Sequence, residues 1–306
     1  MKMQNGRTKN IIITIVIAAV LLCVILLAVL PTVPRAHGAY RLTVFFTGDL
    51  HGQVDNLPYY YTIIQQARHD GENVLLLDCG DLSYGGPRQE KGGVPEAWML
   101  AGMKYDAMVL GNNEFKCTEN TAQACDKQIK RLSENTGCPL LCANIKKDGQ
   151  YLDGVQPYII KNVNGLRIAV VGLTIDEIDN KETRNKTKEN PVAVLENIQQ
   201  QISGNADITV VLSHCEEEQN RNMRDVSAVI AGHIHEPTYT PQQGYNGIPI
   251  VRAGGKDRGH LGKLVLELKE TENGWETEKY DFTLCSIEGV IPNKKIMKIY
   301  AGLPKN

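Results

Sequence analysis

Residues 41–51, Arg-Leu-Thr-Val-Phe-Phe-Thr-Gly-Asp-Leu-His, pass from an apolar, β-branched run straight into a glycine, an aspartate and a histidine. Val, Phe and Thr in a run of this length, stopped by Gly48, predict a short buried strand over Arg41–Thr47. Two side chains able to hold a metal, Asp49 and His51, then leave from its carboxyl end. The arrangement recurs along the chain. Gly80-Asp81 follows the apolar run Asn73–Leu77, and Gly111-Asn112-Asn113-Glu114-Phe115 follows Asp106–Leu110. Ser213-His214 follows Asp207–Leu212, and Gly232-His233-Ile234-His235 follows Val226–Ala231. Leu140–Ile145 and Leu166–Leu173 read as two further strands. Helix-like stretches at Tyr60–Asp70, Pro95–Met103, Ala122–Asn135 and Pro191–Ser203 fall between them, and such alternation predicts an α/β domain with largely parallel or mixed sheets. Past Gly247, the runs Ile248–Gly255 and Leu261–Leu268 predict a terminal antiparallel pair.

The ends of the chain read differently. Residues 11–30 are apolar apart from Thr14 and Cys23, and twenty residues at about 1.5 Å each span the roughly 30 Å hydrocarbon core of a bilayer. Lys2, Arg7 and Lys9 precede this stretch, which predicts a cytoplasmic tail over 1–10, a signal-anchor over 11–30, a linker over 31–39 and an extracytoplasmic domain over 40–306. The alternative is a cleaved signal peptide, with small residues at Ala36 and Gly38 available to a peptidase. Its apolar part is longer than the usual 7 to 15 residues or so. Either way the domain is expected outside, on the cell membrane or secreted. Beyond the stretch and the first linker residues, 29 basic residues stand against 35 acidic ones, a net charge of about −6. With no basic stripe, a long nucleic acid is not an expected partner. Seven cysteines lie past the apolar stretch; Cys117 with Cys125, or Cys138 with Cys142, are candidate pairs. Cys79 and Cys215 read as small buried residues beside the polar blocks, with thiolate ligation the alternative.

In open α/β sheets, functional groups collect where loops leave the carboxyl ends of strands. If those ends share one edge, Asp49, His51, Asp81, Asn112, His214, His233 and His235 converge. Carboxylate, amide oxygen and imidazole together suit Zn, Mn or Fe better than Ca. Seven candidates exceed the three or four ligands that one catalytic zinc takes from protein, so two ions sharing a carboxylate fit the count. Singly, Asp-x-His or Gly-Asp says little; the ordered set, each member at a strand end beside glycine, is specific.

These blocks resemble the catalytic domain of the calcineurin-like metallophosphoesterases, in the branch of 5′-nucleotidases, UDP-sugar hydrolases and 2′,3′-cyclic-nucleotide phosphodiesterases. The matching stretches are Thr47–Gln53, Leu77–Asp81, Tyr105–Phe115, Ile168–Thr174, Val211–His214, Ile230–His235 and Val251–Gly255. The resemblance implies a sandwich of two mixed β-sheets flanked by helices. It also implies one ion on Asp49, His51, Asp81 and His235 and a second on Asp81, Asn112, His214 and His233, with Asp81 bridging. Such paired ions bind phosphate oxygens, generate hydroxide near neutral pH and stabilise charge during displacement. In this branch the third block reads Gly-Asn-His-Glu-Phe-Asp, the His being oriented by the final Asp. Here Asn113 and Lys116 occupy those positions, so both members of the dyad are missing, and proton donation of that kind is worth about 10² to 10⁴ in rate. Exported nucleotidases of the branch also carry a base-stacking domain that is not read in these 306 residues. Arg258 and His260, in the loop Gly254–Gly262, are candidates to touch substrate phosphate or are plain loop residues. The expectation is a membrane-anchored, two-ion hydrolase of phosphate mono- or diesters, nucleotides among the candidates, with weakened catalysis. The alternative is a metal-retaining pseudoenzyme that binds a phosphate ligand or a partner.

Overall fold

Alternation along each apolar run, one residue up and the next down, decides how the strands stack. In the strand Ala39–Thr47, Leu42, Val44 and Phe46 point one way and Phe45 the other, all fully buried. A strand buried on both faces needs cover on both sides. The computed structural model, which describes residues 35–178, 180–255 and 259–305, supplies it in four layers: helices, sheet, sheet, helix.

The first sheet has seven strands in the order Gly274–Cys285, Leu261–Thr271, Ala39–Thr47, Asn73–Asp78, Ala107–Val109, Leu140–Leu141 and Val155–Gln156. From Ala39–Thr47 onward the neighbours are parallel, whereas Leu261–Thr271 runs antiparallel to Ala39–Thr47. The second sheet has six, in the order Gln242–Gln243, Pro249–Arg252, Ala228–Ala231, Ile208–His214, Leu166–Thr174 and Tyr158–Val163, the inner four parallel. A small third sheet joins Thr187–Lys188, Ile145–Lys147 and Gln150–Tyr151.

Leu42, Val44, Phe46, Leu75 and Leu77 from one sheet meet Ile168, Val170, Val210, Leu212 and Ile230 from the other in a single core. Full burial of each such side chain contributes roughly 1.5–3 kcal/mol. On the outer face of the first sheet, Phe45, Leu76 and Met108 pack with Leu57, Ile64, Met99 and Leu100 of the helices Leu57–His69 and Val94–Met103. On the outer face of the second, Val171, Val211 and Val229 pack against Leu195, Ile198 and Ile202 of the helix Pro191–Ile202.

Three sequence expectations are corrected. The Leu140–Ile145 run divides into Leu140–Leu141 and Ile145–Lys147, which lie in different sheets. Asn144 turns the chain between them: its Nδ2 donates to the Thr174 carbonyl at 2.6 Å and its Oδ1 accepts from the Thr174 amide at 2.9 Å. The terminal pair also dissolves. Pro249–Arg252 joins the second sheet, parallel to Ala228–Ala231, and Leu261–Thr271 joins the first, where Gly274–Cys285 is its antiparallel partner. Cys117, Cys125, Cys138 and Cys142 are free thiols rather than bridged pairs, and Cys79 and Cys215 are fully buried. Among the described residues no helix is long and apolar enough to cross a membrane; the 11–30 stretch and Arg258 lie outside the described residues.

Candidate metal centre

Parallel strands that start together end together, so the loops after Thr47, Asp78, Val109, His214 and Ala231 open on one edge of the two sheets. The turns there are tight. Gly80 has φ +85°, and a side chain on it would meet the Gly111 amide at 2.6 Å and the Val109 carbonyl at 2.8 Å, so only glycine lets these two loops touch. Four candidate ligands are themselves left-handed: Asp49 (φ 50°), His51 (47°), Asp81 (55°) and His233 (72°). An L-residue in that conformation costs roughly 1–2 kcal/mol. Four of the ten non-glycine residues with positive φ among the described residues thus lie in the loops that carry the ligands.

The structure brings all seven ligand candidates together. Asp49, His51, Asp81 and His235 place their ligand atoms within 4.8 Å of one another. The Nε2 atoms of His51 and His235 are 3.1 Å apart, with His51 Nε2 3.7 Å from Asp81 Oδ2 and His235 Nε2 3.6 Å from Asp49 Oδ1. On the other side of Asp81, His214 Nε2 lies 3.4 Å from Asp81 Oδ2 and 3.1 Å from Asn112 Oδ1, and His233 Nδ1 lies 3.0 Å from Asn112 Oδ1. Asp81 therefore belongs to both groups.

These donors fit divalent ions. The far nitrogen of His51 contacts the Tyr84 carbonyl at 2.5 Å, and that of His214 contacts the Cys79 carbonyl at 2.6 Å. A carbonyl only accepts, so each Nδ1 carries a proton and each Nε2 turns inward. There the Nε2 atoms meet imidazole, carboxylate and amide oxygen. Ligands about 2.1 Å from one ion stand roughly 3.0–3.4 Å from each other, and the contacts here run from 3.0 to 3.7 Å. The electrostatics agree. Burial acts to lower the pKa of His214, yet the carboxylates of Asp81 and Asp49 raise it to about 10, a pocket that calls for positive charge. Burial acts to raise Asp81, but His214 and the Asn113 amide outweigh it and hold the carboxylate below its usual range. Asp49, with burial dominant, is pushed up to about 7.

Groups that the sequence reading gave no role support this cluster. Glu114, buried, accepts from the amides of Asp81, Leu82 and Gly111 at 2.9, 2.8 and 2.7 Å and so ties two ligand loops together. Burial and then Asp81 push its carboxyl up to about 7. Asp78 accepts from the Thr47 hydroxyl at 2.6 Å and the Gly80 amide at 3.0 Å. Glu114 belongs to the block Gly111–Phe115, where nothing in the sequence pattern separates a loop staple from a surface acid.

Asn113 and Lys116 are in contact with each other and with the cluster. Asn113 donates its backbone N–H to Asp81 Oδ1 at 2.8 Å and its side-chain amide to Asp81 Oδ2. Lys116 Nζ donates to Asn113 Oδ1 at 2.7 Å and sits 5.0 Å over the Tyr84 ring. His260 lines a cleft of about 700 Å³ with Tyr60, Tyr239 and Phe282, and none of the seven ligand candidates lines that cleft. The Gly-rich segment Ser83–Val94 borders the centre through Tyr84.

A family model of calcineurin-like phosphoesterases matches residues 42–237. The 5′-nucleotidase of Vibrio parahaemolyticus is 30% identical over 245 residues, covering 66% of this chain and 41% of its own. The trifunctional nucleotide phosphoesterase protein YfkN of Bacillus subtilis is 24% identical over 292 residues, 83% of this chain and 20% of its own. The chain thus spans about two fifths or less of the length of these curated relatives. The crystal structure of the calcineurin-like phosphoesterase YfkN from Bacillus subtilis superimposes with a TM-score of 0.68 at 20% identity, covering 86% of this chain and 96% of the other. That of a 5′-nucleotidase precursor from Thermus thermophilus superimposes at 0.72 with 17% identity, covering 86% and 58%. At such identities the two structures speak to the fold alone.

Proposed function

The chain belongs to the calcineurin-like phosphoesterase family, and on that premise we propose that it hydrolyses phosphate mono- or diesters, nucleotides among them, at a two-ion centre. One observation supports this above the rest: two imidazole Nε2 atoms 3.1 Å apart on one side of Asp81, matched by an imidazole nitrogen and an amide oxygen 3.1 Å apart on the other. Asp49, His51, Asp81 and His235 would hold one ion, and Asp81, Asn112, His214 and His233 the other. When bound, divalent ions such as Zn, Mn or Fe polarise phosphoryl oxygens and make coordinated water more acidic.

The protein's own groups set the speed. Lys116 is a donor only, so its contact with Asn113 Oδ1 fixes the amide with Nδ2 toward Asp81. An amide in that place offers a hydrogen bond but no transferable proton. Substrates with alkoxide leaving groups are therefore expected to turn over about 10² to 10⁴ more slowly than proton donation would permit, and those with stable leaving anions less so. The Lys116 ammonium, braced on Tyr84, adds positive charge at the rim. A second reading, a metal-retaining pseudoenzyme that binds phosphate ligands, draws on the same contact, since Asn113 donates to the Asp81 oxygen that also lies nearest His51 and His214.

The test is to purify the full chain in detergent, measure bound metal, and assay Mn- and Zn-loaded protein on aryl and alkyl monoesters, diesters and nucleotides beside an Asp81→Asn control. Turnover above the control supports the hydrolase. Stoichiometric metal with none favours the binding module, and absence of metal sinks both. We also place the domain outside the cell, anchored through residues 11–30 or released by cleavage near Ala36–Gly38, on the strength of the apolar stretch and the basic residues before it. Survival of the domain when protease is added to intact cells or spheroplasts that keep a cytoplasmic marker intact would count against that placement.

A further inference from the structure

His233 is held at three points. Its backbone amide donates to Asp49 Oδ1 at 3.1 Å, its Nδ1 faces Asn112 Oδ1 at 3.0 Å, and its Nε2 meets Glu216 Oε1 at 3.0 Å. The last contact differs in kind from those behind His51 and His214, which lean on neutral backbone carbonyls. A carboxylate behind an imidazole keeps the proton on the nitrogen it touches, turns the opposite nitrogen into a fixed lone pair and offsets charge drawn from the ring by a cation. We propose that Glu216 is the positioning residue for the ion held by Asp81, Asn112, His214 and His233. This deepens the two-ion reading and rests on it.

The carboxylate is built into place. His214, Cys215 and Glu216 are consecutive, so one short segment supplies a ligand and the brace of another ligand. That segment is tied internally: Ser213 Oγ lies 2.5 Å from Asn220 Oδ1, Asn220 Nδ2 donates to the Cys215 carbonyl at 3.2 Å, and the Cys215 amide donates to Ser213 Oγ at 3.2 Å. The Glu216 amide donates to Gln219 Oε1 at 3.2 Å, and Gln219 Nε2 donates to Asp176 Oδ1 at 2.7 Å. Glu216 also begins the short helix Glu217–Arg221, so helix capping is the competing explanation. Its side chain is 51% exposed, which makes substitution tolerable for folding.

The experiment separates the two roles. The full chain in detergent is stripped of metal and titrated with Co²⁺, followed by calorimetry and by visible absorption, for wild type, Glu216→Asp, Glu216→Gln, Glu216→Ser and Glu216→Ala. Wild type should take two ions. Glu216→Ala and Glu216→Ser should lose about 10- to 100-fold in affinity for one of them, with altered absorption bands and the other step unchanged. Glu216→Gln should fall between, and Glu216→Asp should recover part of the loss. Serine still caps a helix but cannot reach His233, so wild-type binding by Glu216→Ser would overturn the proposal. Equal weakening of both ions in Glu216→Ala would overturn it as well. If wild type itself takes one ion or none, the two-ion reading falls and this proposal with it.

Discussion

Asp78 shows how much the site asks of single residues. It binds no proposed ion, is fully buried three residues before Asp81, and accepts hydrogen bonds from Thr47 and Gly80. Burial, against the pull of those two donors, raises its pKa from 3.8 to about 7. The unfolded chain releases this proton near pH 4, whereas the folded protein keeps it to about pH 7. The folded state is therefore the better proton binder in that window, and its stability falls as pH climbs through it, by on the order of 4 kcal/mol for this group alone. Below pH 4 and above pH 7 the contribution is flat. Asp78→Asn, which can still accept from Gly80, should remove that part of the slope: measured by urea unfolding of chelator-treated protein, the variant should gain on wild type between pH 4 and 7. Parallel pH curves for the two proteins would refute the assignment of the proton to Asp78. No sequence pattern announces such a group, because Leu-Asp at the end of a strand is equally a solvent-facing turn.

At the scale of elements, the strands that carry ligands were legible, and the reason is physical. A strand buried on both faces must be a continuous apolar run, as in Asn73–Leu77, and a loop that binds metal must then turn polar at once. What escaped reading lacked that contrast. Gly274–Cys285 alternates exposed charges with Trp275, Tyr280 and Phe282 and shifts register at Glu267/Leu268, so no run stands out. The helix Lys294–Ala301 rests on an Asn293 cap and the single fully buried Ile296. The contact between sheets is equally silent in sequence, although it makes a sharp prediction. A side chain on Gly172 would sit 2.2 Å from Leu141 Cβ, in the neighbouring sheet. Gly172→Ala should therefore push the sheets apart and cost about 1–3 kcal/mol by urea unfolding; an unchanged midpoint would mean the sheets do not touch there. The loop Ser83–Val94 depends on Arg88, whose Nε pairs with the buried Glu96 at 2.7 Å and whose Nη2 donates to the Gly52 carbonyl at 2.9 Å. Arg88→Ala strands a buried carboxylate and should cost roughly 3–5 kcal/mol. Adding Glu96→Gln should restore much of it, whereas amide exchange near Gly52 should quicken in both variants, since each has lost the Arg88 contact with the Gly52 carbonyl.

For the whole molecule, two sheets and their helices deliver acceptor atoms from five loops to one point, and the loops pay for it in strain. The sequence revealed which residues gather, since ligand type and strand-end position are both written in it; the left-handed backbone at Asp49, His51, Asp81 and His233 and the Glu114 staple depend on how loops meet in space. Seven ligand atoms converge here across contacts of 3.0–3.7 Å, and ions that bind only the folded state stabilise it by mass action. At free metal 100-fold above Kd that amounts to about 2.7 kcal/mol per site. For a folded unit of this size each kcal/mol moves Tm by roughly 2–4 °C, so Mn²⁺ or Zn²⁺ should raise Tm by about 5–10 °C over chelator-treated protein if one site fills, and more if both do. Asp81→Asn, which weakens both groups of ligands at once, should lose most of that rise, whereas His235→Ala, which touches one group, should keep part of it. Graded loss across the two variants is the thermal signature of two ions meeting at one carboxylate; identical loss in both would mean a single site.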